Sequence, residues 1–159
     1  MKTVASVAGL ITSIAMLLPA FTSRAAESVV TAAMVGHWEG NARIIVSWCR
    51  QTNLPVQVDI RPDGSVTGRV GDATLREGQF LRNRGWLFRK LNWATDYIIT
   101  GGLDGPIVAA EDITRSSVKM PLNFSGGTFA GGVNTSGSDF GGKESMWLAA
   151  ASLRLVHSK

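Results

Sequence analysis

Apolar and polar residues alternate one for one through most of this chain, the period of a strand with one buried face. Leu54, Val56, Val58 and Ile60 fall on one side, while Gln57, Asp59 and Arg61 fall on the other. Pro62-Asp63-Gly64 then reads as a turn with glycine supplying the positive φ, and Val66, Gly68 and Val70 resume the buried face, which predicts a hairpin. The same alternation predicts a long first strand over 38–48, a pair over 75–81 and 86–93 joined at Asn83-Arg84-Gly85, and further strands over 97–101 and 106–108. Val118, Met120, Leu122 and Phe124 form another buried face, with Pro121 outward where a missing N–H requires an edge or a bulge. Ser125-Gly126-Gly127 turns the chain into Phe129, Gly131 and Val133.

The connections are too short for helical crossovers, so the strands form an antiparallel meander. Dense glycine over 126–142 fits turns, bulges and close strand approach at a barrel corner. The segment 144–156 reads two ways: 146–151 is helix-forming material, whereas Leu153-Arg154-Leu155 alternates like a strand. The expected fold is all-β, a single antiparallel meander closing into a small up-and-down barrel. An open sandwich-like sheet is the alternative, and a C-terminal helix over 144–152 competes with a closing strand.

The start of the chain departs from this pattern. Met1 and Lys2, an apolar run from Val4 to Leu18, Pro19 and small residues at Ser23 and Ala25 have the form of a cleavable secretory signal over 1–25, with cleavage after Ala20 or Ala26 as alternatives. The run is about fifteen residues, short of the roughly twenty that a helix needs to cross a bilayer. The expected organisation is a signal over 1–25, a flexible lead-in over 26–34, a barrel domain over 35–156 and a frayed tail over 157–159. The mature protein is expected to be soluble and exported, to the periplasm or beyond it.

Removing Lys2 and Arg24 with the signal leaves 14 basic against 12 acidic residues, or +2. Arg76, Arg82, Arg84, Arg89 and Lys90 form a local basic cluster, which reads first as the solvated side of two strands. Cys49 is the single cysteine, so no internal disulfide is available and the domain must stand on its hydrophobic core. Beside Trp48 it reads as a small buried hydrophobe, with a reactive or subunit-pairing thiol as the sharper alternative.

Gly36-His37-Trp38 at the first strand, then Thr95-Asp96-Tyr97, then Arg115 resemble, in that order, the three short motifs of the lipocalins. That resemblance implies a calycin-type barrel with Trp38, Tyr97 and Arg115 as structural residues: the tryptophan plugs the closed end, the TDY segment lies beside it and the arginine packs over its indole.

Catalytic patterns find little support. Ser116-x-x-Lys119 matches the SxxK pattern of penicillin-recognising enzymes, but that chemistry needs a helix that puts the lysine one turn after the serine, and the alternation here is a strand's. His37 and His157 are the two histidines and stand in no metal-ligand spacing, while Glu111-Asp112 reads as a solvated loop. The stretch 86–93 interleaves aromatic and basic residues, yet core packing explains Trp86 and Phe88 better than nucleic-acid binding does. No catalytic residue, metal or cofactor is expected. The leading expectation is a non-enzymatic barrel binding a small lipophilic ligand lined by Trp86, Phe88, Trp93 and Trp147. The alternative is an envelope interaction module or protein inhibitor that presents strand edges and loops, with contacts over 82–90. An enzyme of unrecognised type and a purely structural role come after these.

Overall fold

A computed structural model describes residues 29–83, 95–137 and 148–158. Ten strands run through them: β1 (Gly36–Ile44), β2 (Asn53–Ile60), β3 (Ser65–Val70), β4 (Ala73–Arg82), β5 (Tyr97–Asp104), β6 (Pro106–Val108), β7 (Ile113–Thr114), β8 (Ser117–Ser125), β9 (Thr128–Ser136) and β10 (Leu148–His157). Eight of them close into an antiparallel barrel in the order β1-β2-β3-β4-β5-β8-β9-β10, with β10 pairing back onto β1. The up-and-down barrel is therefore the fold, and the open sandwich is not. Between β5 and β8 the chain makes a small excursion in which β6 pairs with β7 and the 3-10 turn η (Ala109–Glu111) joins them.

Strand alternation explains the core. On β2 the pattern is strictly exposed-buried, with Leu54, Val56, Val58 and Ile60 inside. The β2–β3 turn forms as expected: the Gly64 N–H donates to the Arg61 carbonyl at 3.0 Å, and Gly64 has φ +83. Inward glycines let the sheet coil tightly. A Cβ on Gly40 would lie 1.9 Å from the Arg154 carbonyl oxygen, and one on Gly131 would lie 1.9 Å from that of Pro121. Pro121 sits outward on β8, and the β8–β9 pairs pass from Lys119↔Asn134 to Leu122↔Gly131 across an interruption, where its missing N–H is tolerated.

Three expectations change. The first strand ends at Ile44 rather than reaching 48, because the chain turns at 47–48 and returns through β2. The described partners of β4 are β3 and β5; the strand expected over 86–93 lies outside the described residues. A helix over 144–152 gives way at 148–152 to β10, whose pairing with both β1 and β9 completes the ladder; 144–147 lies outside the described residues. The lead-in is packed where it is described: Met34 is buried, and Val29 and Val30 rest on the core. The proposed signal and residues 26–28 lie outside the described residues. Among the described residues no helix is long and apolar enough to cross a membrane.

Candidate functional site at the barrel mouth

The two ends of the barrel differ. At one, Trp38 is 1% exposed, and its indole N–H donates to the Met34 carbonyl at 2.9 Å, which draws the lead-in across the opening. Edge-on contacts to Phe129 at 4.7 Å and His157 at 5.1 Å surround the indole. Tyr97 stacks on Phe80 at 5.1 Å, and Phe80 meets Phe129, so Tyr97 joins the same aromatic cluster two rings from Trp38. The segment before Tyr97 ties three strands together: the Asn83 N–H donates to the Asp96 carbonyl, and the Asp96 N–H to Asn123 Oδ1 at 2.9 Å. Outside this end, His37 Nδ1 lies 2.8 Å from Asp59 Oδ1 in a solvent-exposed pair.

The opposite end, the mouth, is covered by the loop 45–52 and by the excursion 105–116. Ile107, Val108 and Ile113 project from the excursion into the core and are fully buried or nearly so. Two carboxylates fasten the cover. Asp72, at the β3–β4 turn, accepts the Ala109 N–H at 2.8 Å and donates its own N–H to the Ile107 carbonyl at 3.1 Å. Glu111 reaches across to the loop, accepting the Arg50 N–H at 2.9 and 3.1 Å on its two oxygens and the Gln51 N–H at 2.8 Å. Those donors hold the Glu111 carboxyl below its usual range.

Cys49 is tucked under the same clasp. Its thiol donates to the Gln51 carbonyl at 3.5 Å and faces Glu111 Oε1 at 3.6 Å. Burial, and then the neighbouring Glu111 charge, push the thiol pKa up, so the group is held as a protonated thiol rather than a nucleophile. Cys49 is thus the buried small hydrophobe of the sequence reading. Arg115 is 3% exposed, donates to the Thr114 carbonyl, and sets its guanidinium 5.1 Å from the ring of Trp48.

That last contact corrects an expectation. The resemblance implied that Arg115 lies over Trp38, but it lies over Trp48 at the other end of the barrel, because the excursion carries it to the mouth. Trp86, Phe88, Trp93 and Trp147, expected to line a ligand site, lie outside the described residues. Ser116 and Lys119 are not one helical turn apart: the Ser116 hydroxyl donates to the Ser136 carbonyl at 3.0 Å, and Lys119 stands on β8 opposite Thr100 and Asn134. Among the described residues no group of three or more histidine, cysteine or acidic side chains could hold a metal ion. Glu111, read in the sequence as part of a solvated loop, is instead the centre of the clasp. Its partners are 60 to 62 residues away, beyond the reach of any local pattern. Comparison of the chain with protein-family models, with curated proteins and with solved structures finds no match.

Proposed function

We propose that this protein is an exported, non-enzymatic barrel that works as a protein-interaction module, meeting its partner with the loops of its mouth. The observation that carries this reading is the filled interior. Val58, Ile99, Met120, Leu122, Phe129 and Leu155 leave no surface for water, and side chains from the lead-in and the excursion plug the two ends. A lipophile would have to displace packed side chains, whereas a partner at the surface would not. Barrel closure pairs the strand edges among themselves, so recognition through an added strand on the barrel, part of the sequence-level alternative, gives way to recognition through loops.

Loop 45–52 suits that role. Glu111 fixes its backbone at Arg50 and Gln51, so little conformational freedom is lost on binding, while Ile45 stands 53% exposed and Arg50 points to solvent. Kinship with the lipocalins is part of the proposal to the extent that Trp38 closes one end with Tyr97 in its aromatic cluster; the position of Arg115 argues against a fuller correspondence.

Native mass spectrometry of protein purified gently from its own host, repeated on an Ile45→Asp/Arg50→Glu variant, tests the reading. A protein partner retained by the natural chain and lost from the folded variant is expected. A stoichiometric small lipophilic adduct that disappears on denaturation, or a partner held equally well by the variant, would overturn it.

A further inference from the structure

Asp-Gly occurs twice in the chain, at Asp63-Gly64 and Asp104-Gly105, and the two pairs sit in different surroundings. In this dipeptide an aspartyl side chain is open to attack by the next backbone nitrogen, because glycine has no side chain to hinder the approach. We propose that Asp104-Gly105 is a site of spontaneous aspartate isomerisation in the folded protein and that Asp63-Gly64 is protected from it.

The chemistry needs only water. The Gly105 nitrogen attacks Asp104 Cγ, forming an N–Cγ bond. The carboxyl group loses a hydroxyl as water, and the amide proton passes to solvent, giving a five-membered succinimide. Water then adds at the backbone carbonyl carbon of Asp104 and breaks its bond to nitrogen. The main chain is left running through Cβ and Cγ, with unchanged composition and one more carbon in its path.

Reaction requires a carboxyl free to rotate and an amide free to approach it. Asp104 closes the β4–β5 ladder opposite Thr74 and is exposed, and among the described residues no side-chain hydrogen bond or ion pair engages its carboxylate. Gly105 is exposed with φ +87, has nothing within 4 Å of the position its Cβ would take, and takes part in none of the turn hydrogen bonds among the described residues. At the other pair both reacting groups are occupied. Asp63 Oδ1 accepts the Ser65 N–H at 2.9 Å and its hydroxyl at 2.7 Å, and the Gly64 N–H is committed to the Arg61 carbonyl. The Ser65 bonds also hold the Asp63 carboxyl below its usual range, which depletes the neutral acid that must lose water. The difference falls at a sensitive place, since Asp104-Gly105 is the joint through which β5 enters the excursion that brings Ile107 and Val108 over the mouth.

The test is prolonged incubation of the folded protein at physiological temperature and mildly acidic pH, with isoaspartate located by peptide fragmentation. The same chain unfolded in urea calibrates the intrinsic rate at each pair, and Asp104→Glu, whose longer side chain cannot form the five-membered ring, confirms the assignment. Folding is expected to slow conversion at Asp63 about tenfold more than at Asp104, following the opening each site requires. The isoaspartate mapped to position 104 should vanish in Asp104→Glu. Equal slowing at the two pairs, or faster conversion at Asp63, would overturn the proposal.

Discussion

Replacing Trp38 by phenylalanine tests what holds the closed end of the barrel. The indole is buried, donates to the Met34 carbonyl at 2.9 Å and makes edge-on contacts to Phe129, Phe124 and His157. Phenylalanine keeps an aromatic body but no donor. Losing the hydrogen bond and leaving a carbonyl poorly satisfied costs about 1–3 kcal/mol. Weakening the aromatic contacts and opening a small cavity adds about 1 kcal/mol. A total of about 3 kcal/mol corresponds to a fall in Tm of roughly 10 °C for a domain of this size. Urea unfolding followed by circular dichroism reads this as a lower midpoint at unchanged slope. Amide exchange should show faster opening at Met34, whose N–H donates to the Thr31 carbonyl, than on β5 and β8. A loss below about 1 kcal/mol would refute the reasoning, because neither the hydrogen bond nor the ring contacts would then be holding the end closed.

Two further perturbations probe the wall and the mouth. Gly131→Ala would place a methyl group 1.9 Å from the Pro121 carbonyl and should destabilise by about 3 kcal/mol in urea unfolding, whereas Gly102→Ala, with 3.8 Å of clearance, should stay within about 0.5 kcal/mol. Acid should loosen the mouth through Glu111. Its folded pKa is depressed, so the stabilisation is complete above its unfolded value of about 4.3 and is lost as pH falls through the folded value. Exchange of the Arg50 and Gln51 amides, followed by NMR between neutral and acid pH, should therefore accelerate on acidification, and Glu111→Gln should remove most of that dependence.

The sequence by itself determined the all-β class, the inward faces of 54–60, 66–70, 118–124 and 129–133 and the β2–β3 turn, because period-two alternation and an Asp-Gly turn are local properties that survive in any antiparallel sheet. The structural roles of Trp38 and Tyr97 were implied only by the resemblance to the lipocalins; the two side chains stand in one aromatic cluster. The C-terminal segment was ambiguous because Leu148–His157 has alanines that favour a helix in isolation; pairing with β1 and β9 overrides that preference, and only barrel closure supplies both partners. Closure in turn depends on Gly40 and Gly131, whose need to lack a side chain is set by carbonyls of Arg154 and Pro121 on neighbouring strands. The mouth was least legible. Glu111 meets Arg50 and Gln51, and Arg115 meets Trp48, across more than 55 residues of intervening chain, and a carboxylate that clasps a distant loop looks in sequence like any carboxylate in a solvated one. Alternation fixes which way a side chain points, but only the closed barrel brings remote segments together over its mouth.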